Sequence, residues 1–158
     1  MAWNELDESL CVSTSEVLET MFFASIIGDA EAGTEQSGDW ISARVGFRGN
    51  PHGAFGVSVT AAAARTMTAG FLGLEDEELV PAQVGEVVCE LANMICGSVL
   101  SRAPSETCFH LAHPHLVARE DAEHGRGGPG YQIARRCFDL GDGSINVFME
   151  MNADYCVL

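Results

Sequence analysis

The sequence predicts one α+β domain, a largely antiparallel sheet of about six strands with amphipathic helices packed against it. Three observations lead there. Residues 40–48 and 54–59, and again 131–140 and 144–152, alternate apolar and polar side chains on either side of a glycine-containing turn, as antiparallel hairpins do. Two other stretches repeat their apolar residues every three or four positions, which is the helical period. Finally, 158 residues with 47% hydrophobic and 20% charged content suit a single core, so residues 1–158 are read as one domain.

Each element can be justified in chain order. Ser13-Thr14-Ser15-Glu16 reads as a capping box, with Ser13 bonding the Glu16 amide and the Glu16 carboxylate returning to the cap. A helix from Glu16 to about Ile27 should follow, apolar at Val17, Leu18, Met21, Phe22, Ile26 and Ile27, with Gly28 ending it. Residues 30–38 read as a polar, glycine-containing loop, of which residues 31–38 lie outside those the structure describes. Ile41, Ala43, Val45 and Phe47 then share one strand face, and Gly49-Asn50-Pro51-His52-Gly53 turns the chain into a second strand with Phe55, Val57 and Val59 inward. Thr60 caps an alanine-rich helix to Leu72, closed by Gly73. Glu75-Asp76-Glu77-Glu78 opens a short helical stretch, where the helix dipole favours negative charge.

Pro81 sets the start of a long helix, which Pro104 stops because the residue before a proline is pushed out of the helical region. Strands are expected over 107–112, 116–119, 131–140 and 144–152, with Gly141-Asp142-Gly143 turning between the last two. Residues 120–130, with four glycines and a proline, read as a mobile hairpin tip or linker. Laying Glu16-Val17-Leu18-Glu19 over Glu90-Leu91-Ala92-Asn93 gives a faint internal duplication, each copy followed by a strand pair.

The long helix is the most informative element. At ~100° per residue, Val84, Val87, Val88, Leu91, Ile95 and Val99 share one side, while Glu86, Glu90, Asn93 and Gly97 share another. Asn and Gly inside a helix together cost about 1.5 kcal/mol relative to alanines, so helix stability did not select them. A plain solvated face is the competing reading of this stripe.

Eight basic against 23 acidic residues give a net charge of −15, which argues against nucleic acid and against anionic membrane surfaces. No apolar run approaches the ~18 residues of a membrane span. The first eight residues are acidic and lack the basic region of a secretory leader, so the chain is expected in the cytoplasm. The six cysteines show no Cys-x-x-Cys and read as reduced, mostly buried residues, with partial exposure expected at Cys89 and Cys96 beside the polar stripe.

Glu90-Leu91-Ala92-Asn93-Met94-Ile95-Cys96-Gly97 resembles the Glu-x-x-Asn helix of the CheX and CheC chemotaxis phosphatases, closest to the single-site CheX-like proteins. There too an apolar residue follows the Asn and a Gly lies four positions on. The order of elements around the motif fits as well. The resemblance implies hydrolysis of the aspartyl phosphate on a CheY-type response-regulator receiver domain, with Glu90 and Asn93 catalytic and Glu86 and Gly97 in the contact surface. It further implies that the chain binds no cofactor or metal of its own, that Mg²⁺ sits on the partner receiver, and that the protein is a homodimer.

In that reading Asn93 orients a water in line with the phosphorus, because an amide offers donor and acceptor without charge. Glu90, one turn earlier and about 5–6 Å away between Cβ atoms, faces the receiver's Lys. Glu19 stands where the first repeat would need the Asn, so one site is expected and not two. A non-catalytic binding or adaptor module for a receiver or other signalling partner is the alternative. The Cys108, His110, His113 and His115 group offers metal-ligand chemistry, but its spacing matches no standard zinc pattern.

Overall fold

The computed structural model describes residues 3–30, 39–49, 51–102, 109–125 and 127–152. Four helices and seven strands follow in the order α1 (Trp3–Met21), β1 (Gly28–Asp29), β2 (Trp40–Arg48), β3 (Gly53–Thr60), α2 (Ala61–Leu72), α3 (Pro81–Ser101), β4 (His110–Leu111), β5 (His115–Val117), α4 (Arg119–Ala122), β6 (Tyr131–Asp139) and β7 (Ser144–Asn152). All strand pairs are antiparallel, in the order β1-β6-β7-β3-β2-β4, with β5 also pairing with β2. The seventh strand is β1, a two-residue edge that starts at Gly28.

The register stacks apolar side chains on one face. Val45 lies opposite Phe55 and Phe55 opposite Met149; Ala43, Val57 and Val147 form the next row. These residues are fully buried under α1, α2 and α3. The two hairpins β2–β3 and β6–β7 lie side by side, with α1 packed on β6 and α3 on β2. Each helix therefore covers the hairpin of the other helix–strand–strand unit, the two-fold regularity that the faint repeat predicts.

Three expectations are corrected. Ser13 does not cap a helix, because α1 begins ten residues earlier: Leu6, Leu10, Val17 and Leu18 are buried in one phase, so the helical period runs straight through the Ser-Thr-Ser stretch. Thr14 is accommodated there by donating its hydroxyl to the Leu10 carbonyl at 2.7 Å. The helix also ends at Met21 and not at Gly28. Phe23 takes a left-handed φ of 54°, and the Ala24 amide returns to the Leu18 carbonyl at 3.0 Å, so the chain folds back over the last turn and the helix ends.

The third correction concerns residues 120–130, where a mobile hairpin tip or linker was expected. Arg119–Ala122 form α4, and Ala122 is buried against the second face of the sheet. Gly56 makes that seat: a Cβ there would overlap the Ala122 carbonyl oxygen. The central strands are consequently buried on both faces, with every residue from Ala54 to Thr60 and from Ser144 to Glu150 out of solvent. Gly73 closes α2 at φ 68°, as the sequence predicts.

Candidate functional site

α3 starts with Pro81 in its first position, and the Val80 amide donates to Gln83 Oε1 at 2.9 Å. On the inner side Val84, Val87, Val88, Leu91, Ile95 and Val99 are all buried. With 21 residues the helix is long and apolar enough to cross a membrane by length and composition, and 56% of its most apolar stretch is buried within the protein. Its apolarity serves the contacts with α1, α2 and β2.

The outer side carries the four residues singled out from the sequence. Glu86 and Glu90 are exposed, while Asn93 and Gly97 are half-buried. The structure brings all four together on one face. Among the described residues no side-chain hydrogen bond or ion pair engages Glu86, Glu90 or Asn93. A polar group that contributes nothing internally, at positions where alanine would favour the helix, is available to something outside.

The two glycines of α3 stand in opposite situations. A Cβ on Gly85 would lie 2.9 Å from Leu116 Cδ1, so its smallness fits β5 against the helix. A Cβ on Gly97 would meet nothing within 4 Å. Internal packing therefore gives no reason for Gly97, and the open space above it lets another surface approach the helix backbone.

The end of α3 is anchored by residues whose partnership the sequence does not reveal. Arg102 Nε donates to Ser13 Oγ at 3.1 Å and its Nη2 to Glu16 Oε2 at 2.6 Å. The two residues read as a capping box instead hold the motif helix against α1. Eighty-nine positions separate Ser13 from Arg102, and no local pattern marks that distance.

Cys96 is completely buried rather than partly exposed, and burial pushes its thiol up to about 12. Cys89 is half-buried; burial and then the neighbouring Glu86 charge raise its pKa. Both changes oppose thiolate formation beside the stripe. His110, His113 and His115 are exposed, and Cys108 lies outside the described residues. Among the described residues no group of three or more His, Cys, Asp or Glu side chains is placed to hold a metal ion.

The model of the chemotaxis phosphatase CheX family matches residues 41–134, more than half of the chain and the whole of α3. The chain belongs to the CheX family. Solved CheX-like structures agree with its fold along nearly the full length. The chemotaxis protein CheX from Vibrio vulnificus superposes with a TM-score of 0.70 at 21% identity, covering 96% of this chain and 99% of that one. A CheC-like superfamily protein from Shewanella gives 0.69 at 21% identity, covering 94% and 97%. CheX in a CheX–CheY–BeF3–Mg²⁺ complex from Borrelia burgdorferi gives 0.67 at 18% identity, covering 92% and 96%. No curated protein matches the sequence.

Proposed function

We propose that this CheX-family chain hydrolyses the aspartyl phosphate of a CheY-type receiver domain, with Asn93 as the water-positioning residue. One observation carries the reading: Glu86, Glu90 and Asn93 project from one face of α3 with no internal partner, above a Gly97 with open space around it. A CheX relative of the same fold is recorded in complex with CheY, which supports a receiver as partner.

The chemistry asks little of this chain beyond placement. Phosphoryl transfer is governed by positioning and by electrostatic stabilisation, and the receiver supplies the phosphoryl group, the Mg²⁺ and a Lys. Asn93 enters the receiver's pocket and holds a water in line with the phosphorus through both its donor and its acceptor. A carboxylate at that position would be repelled by the phosphoryl oxygens. Glu90 fixes the helix in register through the receiver's Lys, with Glu86 at the rim and Gly97 at the point of closest approach. In this reading the chain needs no bound cofactor or metal, acts in the cytoplasm, and is a homodimer.

The test is the decay of aspartyl phosphate on receivers from the same organism, with wild type and Asn93→Ala. Acceleration by wild type that the variant loses supports the proposal. Receiver binding without acceleration makes the chain an adaptor.

A further inference from the structure

The second face of the sheet holds a cavity of about 510 Å³, within the range of small-molecule sites, on the side away from α3. Register explains why it is hollow. Gly46 of β2 lies opposite Ala54 of β3, so two neighbouring positions in the layer of side chains are almost empty. Arg44 and Arg48 flank Gly46 at two-residue steps and therefore share its face. His110 sits opposite Arg48 across the β2–β4 pair. His52 and Tyr131 meet edge to face, with ring centroids 6.1 Å apart, and complete the wall.

The charge of this cavity runs against that of the chain. The eight basic residues are all arginines, set against 23 acids. Arg65, Arg102 and Arg136 form every ion pair among the described residues, with Asp76, Glu16, and Asp7 together with Asp29. Arg44 gives one hydrogen bond to the Asp121 carbonyl at 3.0 Å and Arg48 engages no carboxylate among the described residues, although acidic residues outnumber basic ones nearly threefold in the chain. Two guanidinium groups with no carboxylate partner, around a ready-made hollow, are a site for an anion.

One residue narrows the class of ligand. Glu150 also lines the cavity and is 2% exposed, and its Oε2 accepts from the Gly127 amide at 3.1 Å. A bare anion would meet this carboxylate unfavourably, whereas a ligand that also carries a hydrogen-bond donor would satisfy it.

We propose that the Arg44–Arg48 cavity binds a small organic anion, with a phosphate or carboxylate group held by the two arginines and a hydroxyl or ammonium group directed at Glu150. The site is separate from α3 and does not depend on the phosphatase reading.

The experiment is an NMR titration of the full chain with millimolar glycerol 3-phosphate, malate and glutamate, using glycerol as the uncharged control. Saturable shifts in β2, β3 and β4 with at least one of the three acids, and none with glycerol, are expected. Arg48→Ala should weaken that affinity about tenfold or more. Gly46→Leu should abolish it by filling the hollow: the first carbon added there meets only the Gly53 carbonyl oxygen, at 3.9 Å, and an unchanged amide spectrum outside β2, β3 and β4 verifies the fold. Neither substitution should change receiver dephosphorylation. No shift with any of the three acids, or shifts that survive both substitutions, would overturn the proposal. Since phosphate chemistry is shared with lipid headgroups, vesicles of phosphatidylglycerol form a separate arm. Sedimentation with vesicles that requires Arg48, without binding of the free acids, would also overturn it.

Discussion

Arg102 closes the motif helix onto α1 through Ser13, Nε to Oγ at 3.1 Å, while the same guanidinium grips Glu16 at 2.6 Å. The Glu16 partner is more than half exposed, so solvent screens the ion pair and most of the value lies in the hydrogen bond to buried Ser13. Arg102→Ala should cost about 1 kcal/mol, measured as a lower urea midpoint with unchanged m.

Asn93→Ala and Gly97→Ala should separate function from stability. Neither residue has an internal partner, and each replacement gains helix propensity, roughly 0.5 kcal/mol at 93 and up to about 1 kcal/mol at 97. Both variants should melt at or above the wild-type temperature. Asn93→Ala should lose turnover with receiver binding retained, and Gly97→Ala should weaken binding itself. A Gly97→Ala protein with normal receiver affinity would remove the close-approach role.

Gly56→Ala should be among the most damaging single-methyl changes in the chain. The added carbon meets the backbone of Ala122, which cannot rotate away as a side chain can. A loss of about 1–3 kcal/mol is expected, with α4 displaced. Gly85→Ala meets only the end of the exposed Leu116 side chain and should come close to neutral. Comparing the two thermal midpoints checks the contrast.

Stability should fall at alkaline pH because of Cys96. Its folded pKa, about 12, lies above the unfolded value of 9.0, so the folded state holds the thiol proton more tightly. The contribution is complete below pH 9 and is lost as pH rises toward 12, with the slope already measurable near pH 10. Cys11, Cys89 and Cys137 shift in the same direction, chiefly through burial. Cys96→Ala should flatten the decline in urea midpoint between pH 8.5 and 10.5, taken as about the accessible range.

Salt should help the encounter with a receiver. The chain carries a net charge of −15, two exposed glutamates share the face of Asn93, and a receiver pocket that holds Mg²⁺ and an aspartate, as proposed above, needs acidic groups of its own. Screening between about 0.02 and 0.2 M ionic strength should raise the apparent second-order rate of dephosphorylation several-fold. A rate that falls with salt would mean that a basic patch on the receiver steers the approach.

The hairpins and the phase of α3 were legible because each depends on residues that are neighbours in sequence. Val84, Val87, Val88, Leu91, Ile95 and Val99 fall on one side of any helix they form, and Phe55, Val57 and Val59 on one side of any strand. The ends of α1 were misread for the same reason. Ser-x-x-Glu signals a helix start only where no earlier helical turn is supported, and here Leu6 and Leu10, buried in the core, support three. Phe23 ends the helix through a left-handed φ that glycine usually supplies, so no glycine marks the true end and Gly28 carries the misleading signal.

By itself the sequence determined the fold class, the hairpin pairs and the grouping of Glu86, Glu90, Asn93 and Gly97 on one side of a helix, since backbone periodicity fixes these before any packing occurs. Tertiary structure alone decided that Ser13 and Glu16 hold Arg102, that Cys96 is sealed in the core, and that α4 lies over Gly56. It also decided that Gly46 and Ala54 leave a hollow beside Arg44 and Arg48. Those outcomes depend on which surfaces meet across tens of residues, and a contact between distant segments leaves no period in the chain that makes it.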